Sequence, residues 1–362
     1  MTRQIRTSSM YPNPPTGGVL ADIRAYLKSM DMPDYRFNQI VQSLQHGTEY
    51  FEDVQELPKS LRQKLKVQFG ETPLPLKPAV IHSANQVEKV LFETKSGAKI
   101  ETVLSHYREG WTSMCISSQS GCGLGCTFCA TAAMGLMKNL TADEICAQVF
   151  HSHWNKQLPD SIAFMGMGEA LANPNIFEAL KAFTTKGYGG ISQRRMTVST
   201  VGFAPNLERL VNQFPQVTIT LSVHSPFSVQ RAELIPLEKR FSLQENLAIL
   251  DTYVKKFNRK VYLAYLLIAG LNDTNDHLKR LVDLIKLRER PKLFHVSVIR
   301  YNPAFGANPS FQQPTKEKVS EFVEQLNAHG IDATRRTQFG SGIEAACGQL
   351  HADYIKKNKG NI

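Results

Sequence analysis

Cysteine, acidic charge and long apolar runs are all scarce in this 362-residue chain. Its six cysteines, with no secretory apolar core in the polar Met1 to Gly18 stretch, speak against a disulfide-stapled secreted scaffold. A reducing, cytoplasmic setting is expected. No run approaches the roughly 20 apolar residues of a membrane span, so no membrane partner is expected. Acidic residues number 32 against 42 Lys and Arg, a net charge of +10 that favours a polyanionic partner but is also met in proteins that never touch nucleic acid. Residues 1 to 90 hold only +2 of that surplus. Arg194-Arg195, Lys255-Lys256 and Arg335-Arg336 suit phosphates, though each reads equally as a solvated surface. What is plentiful is hydrophobic content, 42%, enough for a large buried core and incompatible with a disordered chain.

One shortage is specific. Cys122, Cys126 and Cys129 stand in the run Cys-Gly-Leu-Gly-Cys-Thr-Phe-Cys, and no fourth cysteine lies nearby. Structural zinc asks for four protein ligands, usually in two paired knuckles, and there is no second Cys-x2-Cys and no His-x3-His pair. Three thiolates suit a [4Fe-4S] cluster with one iron left open for an exchangeable ligand such as S-adenosylmethionine. The spacing is that of radical SAM enzymes. The alternative of another class is a noncatalytic RNA-binding protein whose cysteines hold a structural metal.

Apolar spacing in Leu20, Ile23, Tyr26 and Leu27, and again in Phe37, Ile40, Val41 and Leu44, predicts short helices and a small helical accessory domain over 19–90, behind a flexible 1–18. Residues 71 to 78 are punctuated by proline, and Val87, Val90, Phe92 and Ile100 alternate as strands do. From Ser113 onward, six apolar strand-like runs alternate with amphipathic helices: 114–117, 161–165, 195–199, 217–223, 261–268 and 294–300. Capping boxes Thr141-Ala-Asp-Glu144 and Ser242-Leu-Gln-Glu245 open two of the helices. This alternation predicts an α/β fold, a parallel sheet curled into a partial (β/α)6 barrel over 91–350, ahead of a basic tail at 351–362.

Polar residues cluster just after these strands, where barrel enzymes keep their chemistry. They are the cysteine loop after the first, Gly166-Met-Gly168-Glu169 after the second, Ser199 at the third, Ser222-Val223-His224 at the fourth and Asn302 after the sixth. The Glu169 carboxylate suits the ammonium of S-adenosylmethionine. Cys146 sits on an apolar helix face with Ile145 and Val149 and reads as core. His151 and His153, two apart on a helix, point away from each other and read as surface or capping residues rather than metal ligands.

The stretches Ile116 through Cys129-Ala-Thr, Phe164 through Asn173, His295 through Pro303 and Ala345-Ala-Cys-Gly-Gln-Leu350 closely resemble the RlmN/Cfr family of radical SAM adenosine methyltransferases, from about residue 20 to 352. Ala170 and Ala172, Gly135 through Leu140, Leu221 through Pro226 and Thr337 through Gly340 look like the Cfr branch, which methylates C8 and confers antibiotic resistance, rather than the RlmN branch, which methylates C2. Ser120 and Ser341 through Glu344 depart from the Cfr prototype. The resemblance implies a cytoplasmic enzyme, expected to be a monomer, that acts on an adenosine of the peptidyl transferase centre of 23S ribosomal RNA. It uses a [4Fe-4S] cluster, two S-adenosylmethionine molecules per turnover and an electron donor such as flavodoxin.

It also implies catalytic roles. An adenine C8 or C2 has no useful lone pair, so direct attack on a methyl sulfonium is unpromising and a radical route is needed. Cys347 takes a methyl group from the first S-adenosylmethionine. A 5′-deoxyadenosyl radical from the second removes hydrogen from that methyl, and the carbon radical adds to the base. Cys115 then attacks the Cys347 sulfur, releasing product with a transient disulfide. Either Glu101 or Cys115 takes the base proton.

Overall fold

The computed structural model describes residues 17–84, 86–107, 110–151, 158–186, 188–304 and 306–336. Its helices are α1 Val19–Ser29, α2 Asp34–Gln45, α3 Lys59–Phe69, α4 Ala130–Ala133, α5 Ala142–Phe150, α6 Ile176–Thr184, α7 Ala204–Gln213, α8 Ser228–Leu234, α9 Leu243–Phe257, α10 Asn275–Lys286 and α11 Lys316–Ala328. The strands are β1 Leu76–Ala84, β2 Val87–Thr94, β3 Lys99–His106, β4 Thr112–Ile116, β5 Gln119–Gly121, β6 Leu136–Asn139, β7 Ser161–Phe164, β8 Met196–Thr200, β9 Thr218–Ser222, β10 Val261–Leu267, β11 Phe294–Arg300 and β12 Ala333–Arg335.

The chain forms two compact units. The first gathers α1 to α3 together with α5 and α6. Leu20, Ile23, Leu27, Phe37, Ile40, Val41 and Leu44 are its buried apolar stripes, as their helical spacing requires. Thr141 and Glu144 close a full capping box at the start of α5, worth about 1 kcal/mol. Cys146 is fully buried, with Sγ 4.0 Å from the Ala179 carbonyl oxygen. His151 takes the capping role of its two readings rather than the surface one: it is the buried C-cap of α5, and its Nδ1 meets Glu49 at 3.0 Å. His153 lies outside the described residues. In place of an accessory domain that simply ends at 90, the helical unit takes in residues 140–159 and 175–192, while β1 and β2 belong to the second unit's sheet.

That sheet runs β1-β2-β3-β4-β7-β8-β9-β10-β11-β12. Neighbours from β4 through β12 pair in parallel, and β2, β3 and β4 pair antiparallel. The six predicted strands are present within two residues at each end, in the order of a partial (β/α)6 barrel, with β12 as a short seventh parallel strand. Its two faces differ in kind. Met114, Ile162, Met196, Val198, Ile219, Leu221, Leu263, Val296 and Val298 form one face and are at most 1% exposed. The other face carries, in register, Cys115, Ala163, Thr197 and Thr218, then Ser199, Thr220, Tyr262 and His295, then Ser222, Ala264, Ser297 and Thr334. Apart from Tyr262 and His295, whose rings meet at 5.2 Å, these side chains are too small to fill a barrel interior as Leu and Ile would, so the rest of the inner face is left lined for a ligand rather than closed as a core.

Candidate active site

The cysteine loop follows β5 and is fastened by its backbone. Cys122 N–H donates to the Gly135 carbonyl at 2.9 Å, Thr127 N–H to Leu234 at 3.1 Å, and Asn308 N–H to Thr127 at 2.8 Å. Cys126 lies in an apolar wall with Leu234, Ile235, Leu266, Ile299 and Tyr301, and Cys129 precedes α4. Burial pushes the Cys122 thiol up to about 11 and also raises Cys126 well above its usual value, and the neighbouring thiols add to both shifts. Cys122 and Cys126 are buried and Cys129 half-buried, and thiolates held in such a loop need a cation among them, which fits the donor set of an iron–sulfur cluster. Among the described residues no three His, Cys, Asp or Glu side chains converge on a point suited to a single metal ion. A four-iron cluster, being larger than one ion, holds its thiolates further apart.

Gly166 and Glu169 bracket the next loop. A Cβ on Gly166 would stand 2.7 Å from the Ile116 carbonyl oxygen, and Gly168, at φ +92°, would drive one into the Gln119 side chain, so both positions require glycine. Met167 N–H donates to Ser117 Oγ at 2.9 Å, and Glu169 N–H to Gln119 Oε1 at 2.9 Å. The buried Glu169 carboxylate accepts the Leu171 N–H at 3.2 Å and the Val201 N–H at 3.0 Å, binding the turn after β7 to the turn after β8. Burial raises its pKa, against the pull of Thr200, Val201 and Leu171.

Val223 is fully buried and its backbone is engaged: N–H donates to the Ala264 carbonyl, and its own carbonyl accepts from Ser225 N–H and Arg231 Nε. It therefore sets the positions of Ser222 and His224. His224 sits in the left-handed region at φ +57°; its Nδ1 accepts the Leu266 N–H at 3.0 Å, which leaves the proton on Nε2. Phe128 of the cysteine loop meets its ring edge-to-face at 4.9 Å.

Cys129, Gly168, Glu169, Ser199, Ser222, His224 and Asn302 line one cavity of about 940 Å³, its open mouth included. Asn302 spends its Oδ1 on Gln313 Nε2 at 2.9 Å, while its buried Nδ2 has no partner among the described residues, a donor left for whatever fills the cavity. Cys115 and Glu101 are not among the lining residues. Cys115 is half-buried on β4, opposite Val103 and Ala163. Glu101, two residues before Val103 on the same face, is buried with its carboxylate 3.5 Å from Lys89 Nζ. Cys347, like residues 337–344 and the 351–362 tail, lies outside the described residues.

Sequence reasoning missed Arg231. It is fully buried on α8, paired with Glu238, and it donates to the carbonyls of Val201 at 2.6 Å, Ser222 at 2.8 Å and Val223 at 3.1 Å. Its charge partly offsets the rise that burial imposes on the Cys126 thiol. Nothing in the local sequence separates it from a solvated arginine.

A family model described as the radical SAM superfamily matches residues 116–285. A protein from Bacillus velezensis named ribosomal RNA large subunit methyltransferase Cfr is 44% identical over 93% of this chain and 97% of its own. The protein of that name from Staphylococcus aureus is 44% identical over 92% and 96%. The chain belongs to the RlmN/Cfr family of radical SAM methyltransferases. A crystal structure of a radical SAM methyltransferase from Sphaerobacter thermophilus shares its fold, at 35% identity and a TM-score of 0.84 over 92% of this chain and 97% of that one. In this family member, the cysteine loop, the Gly-Met-Gly-Glu turn and His224 belong to one construction.

His224 also carries a pH prediction. Burial and Arg231 push its pKa down to about 3, whereas an unfolded histidine titrates near 6.5. Between those values the unfolded chain binds the extra proton, so this contribution to stability is complete above about pH 6.5 and declines as pH falls toward 3, by at most about 1.4 kcal/mol per pH unit. Urea unfolding across that window should give a shallower slope for His224→Asn, whose side chain tolerates the left-handed backbone. An unchanged slope would show that His224 is not the titrating group.

Proposed function

We propose that this chain is a radical SAM methyltransferase that methylates C8 of an adenosine in the peptidyl transferase centre of 23S ribosomal RNA, protecting the ribosome from antibiotics that bind there. The observation that carries the reading is the cavity that joins Cys129 of the cysteine loop to Glu169, Ser199, Ser222, His224 and the unpartnered amide of Asn302. With a [4Fe-4S] cluster and two S-adenosylmethionine molecules bound per turnover, that site supplies a methyl group and then a 5′-deoxyadenosyl radical.

The chain's own residues supply the rest. Cys122, Cys126 and Cys129 hold the cluster. Glu169 keeps lone pairs beyond its two backbone bonds for the ammonium of S-adenosylmethionine, and Asn302 Nδ2 and His224 Nε2 offer donors to its acceptors. Cys347 receives the methyl group as thiolate and carries it to the base. Cys115 attacks the Cys347 sulfur to free the product, and Glu101, kept beside the Lys89 ammonium, or Cys115 itself takes the base proton. The helical unit contributes RNA contact, flavodoxin supplies electrons, and the chain works as a cytoplasmic monomer.

Support for C8 comes from the relatives named Cfr and from Ala170 and Ala172 after Glu169. Mass spectrometry of nucleosides from a treated 23S fragment should find 8-methyladenosine. Finding 2-methyladenosine alone would assign the C2 reaction instead.

A further inference from the structure

The cluster reading just proposed requires an electron from outside the chain, and the following inference rests on that reading. Electron transfer weakens steeply with distance, so a donor must seat where the cysteine loop comes closest to solvent. Within that loop Gly123 and Gly125 are exposed and have no side chain to stand between Cys122 or Cys126 and an approaching protein.

The hairpin β5–β6 flanks this opening. Cys122 N–H is bonded to Gly135, and Leu136 Cβ stands 3.4 Å from where a Gly123 Cβ would be. Leu136 and Met137 are 47% and 55% exposed, an adjacent apolar pair at the surface beside Gly123. Basic residues flank the cysteine loop on its two sides. Lys138, in the same strand, reaches Ser96 Oγ at 3.2 Å, bringing the exposed Lys95 of the β2–β3 turn alongside. On the other flank Pro236 lies 3.8 Å from a Cβ on Gly125, and the exposed Lys239 and Arg240 follow it. Glu233 is an exposed acid there, and Glu93 is already paired with Lys99.

We propose that this face, the cysteine loop with Leu136 and Met137 beside it, Lys138 and Lys95 on one flank and Lys239 and Arg240 on the other, docks a small acidic one-electron carrier protein of the flavodoxin kind. A small apolar centre with a charged rim is the anatomy of a transient interface, in which charge steers encounter and little area is buried. Methionine adapts to a partner without a fixed geometry. RNA is the less suitable occupant, because phosphates gain nothing from Leu136 and Met137, and neither side chain has a π face to stack a base. One electron passes from the reduced flavin to the cluster; the flavin is oxidised by one electron, the cluster is reduced by one, and no bond forms between the proteins.

The test starts with the full chain free of cluster, titrated with oxidised flavodoxin in a calorimeter at low and high salt. Binding should weaken with salt, and Met137→Glu with Lys138→Glu should lower affinity at least tenfold. Lys239→Glu with Arg240→Glu, on the opposite flank, should act in the same direction. In the reconstituted enzyme, formation of 5′-deoxyadenosine driven by flavodoxin should fall at least tenfold in both double variants, while formation driven by dithionite stays within twofold. Unchanged affinity in both variants overturns the proposal. So does equal loss with both reductants, or weakened binding of a 23S fragment with flavodoxin binding intact. A wild-type protein that yields no 5′-deoxyadenosine with dithionite refutes the cluster instead, whatever the calorimeter shows.

Discussion

Cys126→Ala should leave a folded protein that retains little iron after anaerobic reconstitution and loses S-adenosylmethionine cleavage by more than about 100-fold. Changing only the groups that support metal ligands costs 10- to 100-fold, so removing a ligand outright costs more. The fold should tolerate the change because Cys126 sits in an apolar wall beside Leu234 and Ile299, where a methyl group is at home. The desolvation that holds its thiol proton in the absence of a cation disappears with the sulfur. Circular dichroism, iron and sulfide content, and 5′-deoxyadenosine yield together check this. Wild-type iron content in the variant would remove Cys126 from the donor set.

Arg231→Met should be the most destabilising single change near the cavity, at about 3–5 kcal/mol, since it strands a buried carboxylate. Glu238 would keep the Leu243 N–H bond at 2.8 Å but lose its cation. The carbonyls of Val201, Ser222 and Val223 would lose their shared donor at the same time, loosening the turns that follow β8 and β9. Pairing the change with Glu238→Gln should recover part of the loss, because a neutral amide tolerates burial better than an unpaired charge. Urea unfolding of both variants measures it. A loss below about 1 kcal/mol in the single variant would mean that the pair contributes little.

The six parallel strands were legible because each is an apolar run bounded by turns, and the helices between them were marked by caps such as Thr141 and Ser242, whose hydroxyls do accept the Glu144 and Glu245 N–H groups. β1 was not legible. It passes through Pro78 and leaves most of its side chains exposed, so no alternation of buried and exposed residues betrays it. The β5–β6 hairpin, of three and four residues, is too short to carry a period.

At the site, the Gly-Met-Gly turn and the Cys122–Cys129 loop were readable because their chemistry is unusual at any position. Arg231, Gln119 and Asn272 were not, since a buried polar residue looks like a solvated one until its partners are known. Asn272 makes the point: its side chain ties Ile268 N–H to the carbonyls of His224 and Leu266. For His151 the capping alternative holds, while its burial and its partner Glu49, about a hundred residues away, lie beyond any local pattern.

The most direct test is to reconstitute the wild-type chain anaerobically with iron and sulfide, then add S-adenosylmethionine and dithionite. The account predicts a brown protein with close to four irons per chain that releases 5′-deoxyadenosine. A colourless protein that binds zinc and leaves S-adenosylmethionine intact would contradict it.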